Sequence, residues 1–163
     1  NHLYKGDFFT QPEAVVDDNV ATLNGLDGRK MSKSYNNTIP LFIAEKKLLK
    51  LVRKIKTNSL EPGEPKDPDT CTLFQIYSAF ASAEEATVMR AEYQAGIGWG
   101  EAKNRLFEML NEQLREPRER YLALMEDPGH IERVLLKGAE RARAEAAPFM
   151  DRLRHAAGLG RFD

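Results

Sequence analysis

Lys30 and Lys33 stand three residues apart in the run Lys-Met-Ser-Lys-Ser, residues 30–34, with Ser32 and Ser34 beside them. Two ammonium groups at that spacing on a bendable loop can turn toward one polyphosphate, and the two hydroxyls add further donors. The surrounding stretch, GLDGRKMSKSYNNTIPLF at 25–42, is bendable for chemical reasons. Gly25 and Gly28 permit backbone angles that other residues avoid, and Ser32, Ser34, Asn36 and Asn37 favour turns. Arg29 adds a third cation, so the natural partner of this loop is an anion. A solvated lysine- and serine-rich loop without any ligand has the same composition, and five residues alone do not separate the two.

Other chemistries fail on spacing or residue type. A Walker loop needs four residues between its glycine and the Gly-Lys pair, whereas two separate Gly25 from Gly28 and Arg29 intervenes before Lys30. The glycines at 96, 98 and 100 miss the dinucleotide-binding spacing, follow no β-unit, and read as a corner between helices. Cys71 is the single cysteine, which excludes a disulfide within the chain and disfavours a cysteine-based zinc site. It reads as a small buried residue opening a helix. His2, His130 and His155 are too scattered to suggest a metal site, and none is expected.

The longer context of the loop carries a resemblance. Lys-Met-Ser-Lys-Ser resembles the second signature of the class I aminoacyl-tRNA synthetases. The surrounding ATLNGLDGRKMSKSYNNTI, and then LFQIYSAF, AEYQAGIGWGEAK, ERYLALMEDP and KGAERARAEA in that order, resemble the bacterial tryptophanyl-tRNA synthetases over nearly the whole chain. The resemblance implies a loop that follows the last strand of a Rossmann-type catalytic domain and closes over ATP, which arrives with Mg2+. It assigns Lys30 and Lys33 to the negative charge that develops on the leaving pyrophosphate, which is electrostatic catalysis. Met31 would pack inward, Ser32 and Ser34 would donate hydrogen bonds, and the backbone near Ala21 would lie against the adenosine. Tryptophan, ATP and the tryptophan tRNA are the implied substrates, and family members are homodimers.

The same resemblance exposes an absence. The family's first signature, His-x-Gly-His, does not occur in the chain, and the tryptophan pocket belongs to the same missing amino-terminal half. The chain also opens at Asn1 without methionine. It is therefore expected to represent the carboxy-terminal half of such an enzyme and to be inactive alone. Two rivals stand beside this reading: another class I synthetase, such as the tyrosine enzyme, and a non-catalytic helical tRNA-binding module.

The elements around the loop follow from periodicity. Val15-Val16 and Val20–Leu23 are β-prone and predict two short strands, sheet edges without a sheet of their own. Beyond them the chain reads as helical. Leu48, Leu51, Val52 and Ile55 form one apolar face, with Lys46, Lys47, Lys50, Arg53 and Lys54 around the rest. EPGEPKDPD, 61–69, holds three prolines and a glycine and reads as a linker. Asp69 or Thr70 is expected to cap a helix bearing Leu73, Ile76, Tyr77 and Phe80. Ser82 and Glu85 form a capping box, and AGIGWG at 95–100 ends that helix.

Leu106, Leu110 and Leu114 mark a further helix, which Pro117 either kinks or divides. Ile131, Leu135, Ala142, Ala146, Phe149 and Leu153 define the last, which Pro148 is expected to bend. Phe74, Tyr77 and Phe80 share helical spacing and are assigned to the core rather than to base stacking, whereas Trp99 stays open between the two uses. Arg133, Lys137 and Arg141 fall on one stripe, near Arg118 and Arg120 in sequence, but interspersed glutamates make this an ordinary solvated face as readily as an RNA contact. No tRNA-reading residue is assigned.

The fold class expected is mainly α: a helical bundle of the anticodon-binding type at 43–163, preceded at 1–42 by the end of a Rossmann-type α/β domain with its loop. The 163 residues and 42% hydrophobic content suffice for a core, and the net charge of −1 requires any nucleic-acid affinity to come from local patches. No apolar run is long enough to span a membrane and no signal peptide is visible, so a cytoplasmic location is expected.

Overall fold

Leu48 and Val52, one helical turn apart, are fully buried in the first long helix, α1 (Glu45–Lys54), and Ile55 follows at its end. Glu45 in its first turn and Arg53 and Lys54 in its last complement the helix dipole. The computed structural model describes residues 1–16 and 22–159. Among the described residues the remaining helices are α2 (Thr72–Ser78), α3 (Ala83–Gln94), α4 (Trp99–Glu126) and α5 (Pro128–Ala156), with a 3-10 turn at Lys33–Tyr35. The mainly α expectation holds.

The two expected strands do not form among the described residues. Val15 and Val16 carry no regular structure, residues 17–21 lie outside the described residues, and Leu23 belongs to no strand. What remains is one isolated antiparallel bridge, Asn24 to Lys30. Two short β-prone segments bury too little to hold a ladder without a neighbouring sheet.

Contacts divide the chain into two compact units, Val16–Leu122 and Asn1–Val15 with Ala123–Asp163, the boundary falling inside α4. The first unit owns the core. Leu73, Phe74, Ile76 and Tyr77 of α2, Met89 and Tyr93 of α3, and Ala102, Leu106, Leu110 and Leu114 of α4 close on Leu48, Val52 and Ile55. Phe80 packs against this cluster partly buried, so the aromatic group is core as expected. Trp99 joins it as well: its ring meets Tyr93 edge-on at 5.8 Å and its Nε1–H donates to Asn58 Oδ1 at 3.1 Å.

Helix ends follow local chemistry, with one correction. The Ser82–Glu85 capping box forms in both directions, at 3.2 and 2.8 Å. The cap of α2 is Cys71, without a side-chain bond, and not Asp69 or Thr70. Those two are engaged elsewhere: Thr70 donates its hydroxyl to Asp67 at 2.8 Å, and Asp69 pairs with Arg90 at 2.8 Å. Cys71 is half-buried, with its Sγ 3.7 Å from the Tyr93 hydroxyl. α4 runs unbroken through Pro117, which forfeits one backbone bond rather than ending the helix. Asp127 then caps α5, accepting from the His130 N–H at 2.9 Å, with Pro128 in the first turn.

The 61–69 segment is not a free linker. Lys66 is only 2% exposed, and its ammonium donates to the Glu61 and Glu64 carbonyls at 2.8 and 2.9 Å beneath the Trp99 ring. The Lys66 N–H bonds the Tyr93 carbonyl and the Gly63 N–H bonds the Gly96 carbonyl, both at 2.8 Å, so the segment closes over the end of α3. Gly96 at φ +92° permits that approach, since a Cβ there would lie 2.5 Å from the Gly63 carbonyl carbon. In the second unit, Phe9 meets Phe149 edge-on at 5.6 Å, and the Asn1 side chain accepts from the N–H groups of Phe8 and Phe9. α5 buries none of its residues fully; the apolar stripe expected of it leaves Leu135 67% exposed.

Candidate functional site

The loop at 23–37 is a tied knot rather than a slack segment. The Gly25 N–H bonds the Arg29 carbonyl at 2.7 Å, the Gly28 N–H bonds the Gly25 carbonyl at 3.0 Å, and the Met31 N–H returns to the Leu23 carbonyl at 2.9 Å. Gly28 supplies the positive φ, +83°, that this turn demands. Two bonds fasten the knot to the helices: the Lys56 N–H to the Leu26 carbonyl at 2.9 Å, and Asn24 Nδ2 to Gln75 Oε1 at 3.0 Å. Leu23, Leu26, Ile39 and Ile43 pack, partly buried, against the core.

Asn37, 2% exposed, sits at the centre. Its Oδ1 accepts from the Ser32 N–H at 2.8 Å, and its Nδ2 donates to Asp27 Oδ1 at 2.7 Å and to the Lys30 carbonyl at 3.3 Å. Gly25 must lack a side chain here, because a Cβ would come within 2.5 Å of the Asn37 carbonyl oxygen. The Asn37 amide first, then the Arg29 guanidinium and N–H, hold the Asp27 carboxyl down at about 2 against the opposing cost of desolvation. Sequence pattern marks neither Asn37 nor Asp27 as a site. The Asp-Gly turn dipeptide at 27–28 and the turn preference of Asn37 are their local signals.

The three cations of the loop divide by use. Arg29 is engaged internally: Nη2 pairs with Asp27 at 2.6 Å, Nε donates to the same oxygen at 2.7 Å, and the guanidinium lies 4.5 Å from the Tyr35 ring centre. Lys30 and Lys33 are exposed, and among the described residues neither forms an ion pair. Ser32 begins the 3-10 turn, its Oγ accepting from the Ser34 N–H at 3.3 Å, and Asn36 closes it at φ +51° with its N–H on the Lys33 carbonyl. Met31 is half-buried and Ser34 exposed. Ala21 lies outside the described residues.

An open depression of about 490 Å³ adjoins the base of the knot, lined by Asn24, Asp27, Arg29, Lys56, Asp67 and Trp99 among others. Neither Lys30 nor Lys33 lines it. Asp67 is held below the usual carboxylate range, chiefly by the Thr70 hydroxyl, so with Asp27 it presents two carboxylates and suits a polyphosphate poorly. Of the other basic candidates, Arg118 is tied to Asn111 at 3.0 Å, while Arg133, Lys137 and Arg141 are exposed on α5.

With this geometry in place, comparison with known proteins decides the family: the profile of tRNA synthetases class I (W and Y) matches residues 1–115. The chain belongs to that family. The chain is 54% identical over 164 aligned residues to the tryptophan–tRNA ligase of Pseudomonas syringae pv. tomato, covering 99% of the chain and 36% of that relative. To the ligase of the same name from Pseudomonas aeruginosa it is 56% identical, covering 98% and 36%. The tryptophanyl-tRNA synthetase of Campylobacter jejuni, crystallised with ADP and tryptophan, superposes at a TM-score of 0.78 with 39% identity over 94% of this chain and 49% of that one. The chain thus spans about a third of the length of these two curated relatives.

Proposed function

We propose that residues 30–34 form the phosphate-contacting loop of a tryptophan–tRNA ligase, with Lys30 and Lys33 as its catalytic cations. The tryptophan carboxylate attacks the α-phosphate of ATP, supplied with Mg2+ as substrate complex. The bond to the leaving pyrophosphate breaks, and a terminal ribose hydroxyl of the tryptophan tRNA then displaces AMP. Charge accumulates on the pyrophosphate during the first step, and a positioned ammonium stabilises it more in the transition state than before. Ser32 and Ser34 would donate further hydrogen bonds, Met31 would set the loop against the protein, and the Ala21 backbone would face the adenosine.

One observation carries this reading. The loop neutralises its own arginine with Asp27 yet presents both lysines to solvent without an acidic partner among the described residues. Every ion pair among the described residues is made by an arginine, so the two free ammonium groups take their meaning from the Lys-Met-Ser-Lys-Ser run they belong to, inside the 1–115 stretch that the synthetase profile matches. The names of the relatives support tryptophan over tyrosine.

The functional division runs at 42/43 in this proposal, with residues 1–42 serving the nucleotide and 43–163 the tRNA anticodon. The activity requires the tryptophan pocket and the His-x-Gly-His segment, supplied by the full-length ligase that carries this region. That ligase works as a homodimer in the cytoplasm. No helix among the described residues is long and apolar enough to cross a membrane.

Single-turnover adenylate formation by such a ligase, measured beside equilibrium tryptophan binding, tests the loop. Lys33→Ala should slow the first and spare the second. Weakened tryptophan binding with an unchanged activation rate would remove the phosphate role.

A further inference from the structure

We infer that Asn37 is a positioning residue for the two loop lysines, an inference that rests on the phosphate role proposed above. Asn37 is 2% exposed and its side chain is occupied by the loop itself, so it reaches no substrate. What it grips is the backbone on either side of Met31. Oδ1 takes the Ser32 N–H at 2.8 Å and Nδ2 the Lys30 carbonyl at 3.3 Å, while the same Nδ2 is drawn to Asp27 at 2.7 Å. The Asn37 carbonyl accepts from the Leu26 N–H at 2.9 Å, so one residue links both ends of the knot.

The consequence falls on Lys30 and Lys33. Lys30 is held directly through its carbonyl, and Lys33 follows Ser32, whose N–H is held and whose hydroxyl starts the 3-10 turn. With residue 37 unable to donate and accept at once, Ser32 loses its acceptor or Asp27 the donor on its Oδ1, and the spacing of the two ammonium groups is no longer set. Misplacing a charge-stabilising group by about 1 Å costs on the order of 10²-fold in rate. The amide is the required chemistry. A carboxylate at position 37 keeps the acceptor but repels Asp27, and a methyl group there supplies neither function.

The test uses a full-length ligase carrying this segment, with Asn37→Ala, Lys33→Ala, the pair Lys30→Ala and Lys33→Ala, and that pair combined with Asn37→Ala. Single-turnover adenylate formation at saturating ATP, the KM for ATP, tryptophan binding and thermal unfolding are measured. Asn37→Ala should lower the activation rate about tenfold or more with tryptophan binding unchanged, and most of that loss should vanish when Lys30 and Lys33 are both alanine, because the asparagine acts through those two lysines. A purely structural residue gives additive losses, and additivity overturns the inference.

Rescue provides a second arm that does not need Asn37→Ala to fold. Asn37→Asp alone should be slow, and adding Asp27→Asn should restore part of the rate. The swapped pair again donates across the gap and the carboxylate now at position 37 keeps its bond to the Ser32 N–H, while the bond to the Lys30 carbonyl is not recovered, so the rescue is partial. A swap no faster than the single variant overturns the inference. If Lys33→Ala slows activation but Asn37→Ala does not, the inference fails and the phosphate role stands; if Lys33→Ala has no effect on activation, both fall.

Discussion

At Lys33, loss of the ammonium removes stabilisation that grows as the pyrophosphate leaves. By analogy with other positioned charge-stabilising groups, Lys33→Ala should slow adenylate formation about 10²-fold or more, ~2.7 kcal/mol, in single-turnover measurements. Lys33→Arg should not fully rescue, because a planar fork does not reproduce a compact ammonium. Asp27 makes a separate prediction. Its folded value lies at about 2 against an ordinary 3.8, so its bonds to Asn37 and Arg29 stabilise the loop fully above the ordinary value and are lost as pH falls through about 2. The Asn37 side-chain amide resonance, followed by NMR, should shift with a midpoint near the lower value. A midpoint at the ordinary carboxylate value would disprove the depressed carboxyl.

Helix ends and corners set the next scale. The reciprocal Ser82–Glu85 bonds satisfy two donors at the start of α3, so Ser82→Ala should destabilise the protein by about 1 kcal/mol, read from its denaturation midpoint. The corner after α3 is stricter. Gly96 combines φ +92° with backbone of Gly63 in the place a Cβ would occupy, so Gly96→Ala has both torsional strain and a collision to relieve. We expect a loss of about 1–3 kcal/mol or more, with the 61–66 segment becoming accessible to protease before the rest of the unit. Unchanged stability and unchanged cleavage would show that the segment is not held by this corner.

At the scale of the whole molecule, the unit Val16–Leu122 rests on the core shared by α1 to α4. Leu106 is fully buried within it, and Leu106→Ala should cost about 2–5 kcal/mol, lowering the urea midpoint with an unchanged slope. A loss below about 1 kcal/mol would mean that α4 does not depend on this packing. At the same scale, the 163-residue chain assayed by itself should support no tryptophan-dependent exchange of pyrophosphate into ATP, because its lysines have no oriented nucleotide to act upon. Robust exchange would contradict the division of labour proposed here.

The sequence by itself determined which residues could meet a phosphate and where most helices lie. Lys30 and Lys33 are neighbours along the chain, and an apolar face at a helical period or a Ser82–Glu85 box depends only on residues a few positions apart. Tertiary structure decided what those residues are free to do. Asp27 takes Arg29 out of the set of available cations, Asn37 becomes the buried centre of the loop, and Lys66 turns a proline-rich stretch into packed structure. It also left α5 without a fully buried residue despite its apolar period. Burial and the partners of a charge are set by surfaces that converge from distant parts of the chain: Asn24 with Gln75, Lys66 with Tyr93, Gly63 with Gly96. No local pattern encodes those meetings.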